Sequence, residues 1–328
     1  MREKHSYGGG TAQRGQTIPI TKHLSLIKDL STGTKNKLNT ETLKLADIIL
    51  PTKRDLETRA RVIEDAEKRA AAAEVAIYST ASLGITLQST DIELFYTDEN
   101  ASKLLRSFLT DIAENGVVAM GGNAHPPFVS YIDKAYGYTV TLYAKSQYNE
   151  KLSHMKNILK KFPVIKKMIL VLSHILRSRG LCIQGASVGE YELLLMCECF
   201  LKSHPLIQGQ CIDAGKNLGV LLMDFLQLYG CDLYYDRVGI DPKRGWFVHK
   251  AKDAGYFHIV DPVDGTDAGS LLVLHKGVEA LFNNLYTGMN VLYRLETALP
   301  IVSFWIMPTS TGDFWWKDVE TLLEETFK

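Results

Sequence analysis

The sequence predicts an α+β protein in two parts, a mixed sheet with flanking helices followed by a mainly helical domain. Three observations carry that prediction. Short strand-like runs bounded by small polar residues recur between residues 75 and 144. From about Asn149 the apolar residues recur at helical spacing instead, in segments each closed by Gly or Pro within a residue or two. With 328 residues, 46% of them hydrophobic, the chain can fill more than one core.

Residues 1–40 are polar and rich in Gly, Thr and Lys, which reads as a flexible strap. In TKRDLETRARVIEDAEKRAAAAEVAIY, Thr52 precedes Asp55, and Leu56, Ala60, Ile63, Ala66 and Ala70 lie at helical spacing. A short strand over Val75 to Tyr78, a turn of small residues and a strand from Ile92 to Tyr96 come next. The segment SKLLRSFLTDIAENG predicts a helix ending at Gly116, and VVAM, PFVSYID and GYTVTLYA predict strands, the last two joined by a turn at KAYG. Four helices follow, in KLSHMKNILKKF, VIKKMILVLSHILRSRG, GEYELLLMCECFLKSHP and NLGVLLMDFLQLYG. A short β-rich piece, GWFVHK to YFHIVDP, then leads into a further amphipathic helix, VEALFNNLYTGMNVLYRLETALP. The expected division is a strap over 1–40, a sheet domain over 41–150 and a helical domain over 151–328.

Lys plus Arg and Asp plus Glu both number 37, so the chain has no basic excess to drive unaided binding to nucleic acid phosphates. Five cysteines at spacings unlike those of zinc sites read as buried free thiols in a reducing compartment, and the Cys197-x-Cys199 pair falls in an apolar helix. No apolar segment has the length of a signal peptide core or a membrane span, so a soluble intracellular protein with no membrane contact is expected.

STASLGITLQSTDIELFY, residues 79–96, raises the functional question, because Asp91 and Glu93 sit one residue apart at the head of an apolar run. Taken alone, such a pair is a solvated strand face. Likewise Tyr191 alone is a core aromatic, and Arg177 and Arg179 suit a helix C-terminus. Lys160, Lys161, Lys166 and Lys167 make a solvated basic face, with an RNA or protein partner as the minority reading. The Trp315-Trp316 pair suits either packing of a terminal helix or a partner contact.

The segments LVLSHILRSRGL, EYELLLMCECFLKSHP, NLGVLLMDFLQLYG and YYDRVGI closely resemble the central domain of noncanonical poly(A) polymerases of the TRAMP-complex type, and the element order matches over roughly residues 40–295. This resemblance implies a polymerase-beta-like nucleotidyltransferase domain joined to a helical central domain. It implies an RNA 3′-end substrate, Mg²⁺ or Mn²⁺ as cofactor, a zinc-knuckle RNA-binding protein and an RNA helicase as partners, and a nuclear setting. In that family a Gly-Ser turn, an Asp-x-Asp on a strand and a third Asp on a later strand hold two metal ions about 3.5–4 Å apart.

Here the resemblance places Ser79-Thr80 at the Gly-Ser turn, Asp91 and Glu93 at the catalytic, metal-binding pair, and Thr141 where the third acid stands. Ser173 takes the position of a phosphate-binding Lys, leaving Arg177 one turn later to offer charge. Tyr191 matches the tyrosine that stacks on the base, and Glu190 replaces the serine facing the phosphates. Asp267 and Ala268 fall on the paired asparagines of the base-recognition loop. Ser79, Thr80, Arg177, Tyr191 and Asp267 are therefore the implied nucleotide contacts. Two functions follow: a degenerate pseudoenzyme within an RNA-tailing complex, or an active adenylyl- or uridylyltransferase working on two carboxylates. An RNA-binding or nucleotide-sensing module is the third, disfavoured by the zero net charge.

Overall fold

The structure, a computed structural model, describes residues 32–72, 74–87, 90–96, 118–121, 128–145, 147–181, 188–249, 257–269 and 275–294. Expectations for residues 1–31, the helix before Gly116, Cys182 and Trp315-Trp316 lie outside these.

The first half of the fold is a five-stranded mixed sheet. Its strands are β1 (Ile77–Ser79), β2 (Ile92–Tyr96), β3 (Val118–Gly121), β4 (Phe128–Ile132) and β5 (Thr139–Ala144), in the order β1-β2-β5-β4-β3. Only the β2–β5 pair is parallel, which makes the sheet mixed as expected.

Alternation along the strands gives the sheet two different faces. Ile92, Leu94, Tyr96, Val140 and Leu142 pack on one face against Val62, Ala66 and Ala70 of helix α2 (Lys53–Ala72). Helix α2 starts where the sequence predicts, with Thr52 Oγ1 accepting the Asp55 N–H at 3.2 Å. On the opposite face the strand registers align two rows. Glu93, Thr141 and Ser130 form a polar row, and Phe95, Tyr143 and Phe128 form an aromatic one.

The aromatic row joins the two halves of the protein. Phe95 stacks on Tyr148, with ring centroids 3.8 Å apart, at the start of α3 (Tyr148–Lys161). After Pro163 comes α4 (Val164–Arg177), buried along almost its whole length, and then α5 (Glu190–Ser203), α6 (Leu218–Gln227) and α7 (His275–Arg294). A two-stranded hairpin, β6 (Val238–Asp241) with β7 (Trp246–His249), completes the helical half.

Two expectations need correction. Helix α1 (Thr32–Ile48) begins inside the segment expected to be a strap, and it packs on α6 and α4 rather than on the sheet that follows it in sequence. Leu38 and Leu45 of α1 are fully buried in the core shared with the helical half, and Asn39 Oδ1 accepts the N–H groups of Gly219 and Val220 at 2.9 and 3.2 Å. Asn39 thereby satisfies donors that the first turn of α6 leaves unpaired. Gly219 permits this approach, since a Cβ there would lie 2.5 Å from Leu38 Cγ. The second correction concerns the thiols. Cys197 and Cys199 are buried as expected, and burial pushes Cys199 up to about 12, but Cys211 and Cys231 are exposed.

Candidate functional site

The polar row of the sheet faces the helical half across a cleft. Ser79, Thr80, Asp91, Glu93 and Glu190 line one small pocket there, of about 330 Å³. Five positions singled out from sequence therefore meet in space. Thr141 sits beside Glu93 as its register partner on β5, where the expected alignment requires it. Its hydroxyl shares a 2.9 Å hydrogen bond with Ser130 Oγ on β4.

The charges in this pocket are satisfied by the protein itself. Arg177 Nη2, at the end of α4, lies 3.5 Å from Glu93 Oε1 and 3.8 Å from Glu190 Oε1. Thr80 Oγ1 donates to Glu190 Oε2 at 3.2 Å. Glu190 is only 6% exposed, and burial together with the nearby Glu93 carboxylate raises its pKa to about 7, against the opposing pull of Arg177 and Thr80. Arg177, expected to offer charge to a nucleotide, is engaged with two carboxylates.

The other expected nucleotide contacts are also engaged. Ser79 Oγ accepts the Ala81 N–H at 3.0 Å and so shapes the turn after β1. The Tyr191 hydroxyl donates to Asp261 Oδ1 at 2.8 Å, and burial and that carboxylate hold its pKa far above the ordinary phenol value. Lys145 and Lys151 place their ammonium groups 5.4 and 5.7 Å from the Tyr191 ring centroid, so the ring expected to stack on a base is covered. Asp267 is a loop-former. Its Oδ2 pairs with His258 Nδ1 at 2.5 Å, and its Oδ1 accepts the N–H groups of Ile259 and Gly269. Ser173 is fully buried, its hydroxyl without a hydrogen-bond partner among the described residues.

Several charged residues at the site escaped the sequence reading. Lys151 bridges Asp261 at 2.9 Å and Asp264 at 3.0 Å, contacts that outweigh its burial and raise its pKa. The carboxylate of Glu192 accepts the Gly189 N–H at 3.1 Å and lies 3.6 Å from Lys145, tying the start of α5 to the end of β5. Arg59 of α2 lines the pocket too, held by Asp55 at 3.3 Å and by the Thr90 carbonyl. The DPVDG turn did carry a signal for Asp261 and Asp264, but the lysine that they pair with is 110 or more residues earlier in the chain.

The residues present do not fit a two-metal centre. Glu93 already faces a guanidinium, Thr141 offers a hydroxyl engaged with Ser130, and no three carboxylate, imidazole or thiolate groups converge on a metal position among the described residues. Asp91 alone of the expected trio is an exposed carboxylate. The arrangement holds two halves of a protein together more readily than it holds a triphosphate.

Residues 217–266 match the family described as Cid1 family poly A polymerase. Poly(A) RNA polymerase protein 2 of Saccharomyces cerevisiae is 24% identical over 253 residues, which cover 73% of this chain and 42% of the relative. Poly(A) RNA polymerase cid14 of Schizosaccharomyces pombe is 31% identical over 119 residues, covering 34% and 17%. The chain belongs to the noncanonical poly(A) polymerase family. It spans less than half the length of these family members.

The fold agrees with family structures. The polymerase core of TRAMP, described as an RNA surveillance complex, superposes with a TM-score of 0.68 at 18% identity, over 93% of this chain and 99% of that one. Cid1 in complex with the UTP analog UMPNPP gives 0.63 at 13% identity, over 81% and 97%. A further neighbour, the Cid1 poly(U) polymerase, is described with MgGTP bound. The polymerase-beta-like nucleotidyltransferase fold with a helical central domain is thus the fold of this chain. Among the described residues no helix is long and apolar enough to cross a membrane.

Proposed function

We propose that this chain is a catalytically degenerate member of its family, serving RNA 3′-end tailing and surveillance as a subunit of a complex rather than as the tailing enzyme. The observation that carries this reading is the Arg177 bridge between Glu93 and Glu190. A cleft that transfers nucleotides must present positive charge to a triphosphate, and here Arg177 is directed at the protein's own acids. Thr141 at the third acid position and the buried Glu190 support the same reading. Its partners would be those the family resemblance implies, an RNA 3′ end, a zinc-knuckle RNA-binding protein and an RNA helicase, in the nucleus.

The exposed Asp91 beside Glu93 favours a second reading, an active adenylyl- or uridylyltransferase using Mg²⁺ or Mn²⁺. A primer-extension assay separates the two. Purified protein given an oligoadenylate primer, each of the four NTPs and either Mg²⁺ or Mn²⁺ is expected to add no nucleotides. Processive extension that Asp91→Ala abolishes would overturn the first reading in favour of the second.

A further inference from the structure

Three features that commonly hold an oxyanion converge in the cleft, and all three are directed at one side chain. The Thr80 hydroxyl donates to Glu190 Oε2 at 3.2 Å, and the Arg177 guanidinium lies 3.8 Å from Glu190 Oε1. Glu190 is also the first residue of α5, a 14-residue helix, where the unpaired N–H groups and the macrodipole favour negative charge. A carboxylate 6% exposed beside a second carboxylate persists only where such groups compensate it.

These contacts also cross the cleft. Thr80 and Glu93 belong to the sheet half, whereas Glu190 and Arg177 belong to the helical half. The Thr80–Glu190 hydrogen bond and the Glu93–Arg177 ion pair are thus two cross-links between the halves.

We infer that Glu190 is a built-in ligand mimic: its carboxylate occupies an oxyanion site made by Thr80, Arg177 and the start of α5, and so holds the two halves closed without any bound nucleotide. This deepens the pseudoenzyme reading and relies on it for the view that the cleft is not used for catalysis. Removing the Glu190 carboxylate leaves Thr80 and Arg177 to accept an external anion. Its chemical class is a polyphosphate, whose oxygens suit a hydroxyl, a guanidinium and a helix N-terminus.

Calorimetry with inorganic tripolyphosphate, in the absence of divalent metal, tests this on the full chain. Wild type is expected to bind weakly, Glu190→Ser at least tenfold more tightly, and Glu190→Gln in between. Glu190→Ser combined with Arg177→Ala should return to the wild-type level. Equal affinity of wild type and Glu190→Ser, or a folded Glu190→Ser without gain, would overturn the inference. The isosteric Glu190→Gln carries the test if the serine variant does not fold, and no gain in it is equally decisive. Primer extension by wild type would count against the pseudoenzyme reading, whereas a failed anion gain in an inactive protein counts against the mimic alone.

Discussion

Glu93 on β2 and Thr141 on β5 are register partners on adjacent parallel strands, and Ser130 on β4 continues their row. One carboxylate and two hydroxyls therefore stand where the family resemblance implies a row of acids.

Restoring one acid should not restore the chemistry. Thr141→Asp would set a second carboxylate beside Glu93 at a position 8% exposed and break the Ser130 hydrogen bond. We expect a loss of about 1–3 kcal/mol in urea unfolding and no primer extension. Adding Glu190→Ser and Ser173→Lys is a worse route than sequence alone implies, because Ser173 is fully buried. An ammonium there has no solvent, and the triple variant is expected to lose its cooperative thermal transition.

Arg177→Met should leave Glu93 and Glu190 facing each other without their shared cation. Arg177 keeps 21% of its side chain exposed, so solvent screens part of the effect. The expected cost is about 1–3 kcal/mol by chemical denaturation. Adding Glu190→Gln to this variant should recover part of the loss, a coupling that a double-mutant cycle would read directly.

His174 in α4 should give the protein an acid-sensitive term. Its pKa is lowered from 6.5 to about 4, first by burial and then by Arg179. Because the folded value lies below the unfolded one, the unfolded chain takes up a proton between those values that the folded chain refuses. Stability from this group is complete above pH 6.5 and falls as the pH drops toward 4, by roughly 3 kcal/mol in all. Urea unfolding at pH 7 and pH 5 should show that fall in wild type and a shallower one in His174→Leu.

Asn39→Ala should weaken the junction between α1 and α6. It removes the acceptor for the Gly219 and Val220 N–H groups at a buried helix start, an expected cost of about 1–2 kcal/mol. Amide exchange at those two residues should quicken more than at the centre of α6.

Much of the fold was legible because its signals are local. The Ile92–Tyr96 strand and the α4 helix carry their own periodicities, and the β2–β5 register brought Thr141 beside Glu93 as the motif spacing implied. Helix α1 was hidden because its few apolar residues, Leu38 and Leu45 among them, are buried by a helix nearly two hundred residues away. Within the site, the positions were legible and their pairings were not. Sequence showed Arg177 and Glu190 as separate departures from the family pattern, and only the folded chain shows each as the other's partner. Asp267 looked exposed to a ligand because nothing local reveals that His258 and two backbone N–H groups already hold it.

The seat of α1 on α6 has a consequence for synthesis. Asn39 emerges from the ribosome 180 residues before Gly219, with the whole sheet domain encoded between them. At about 5–20 residues per second, α1 waits roughly 10–40 s for the helix that covers Leu38 and Leu45. The helical half is therefore completed last and around an inserted domain. A nascent chain arrested between the two segments should present an apolar α1 face to chaperones, while its sheet domain can already close.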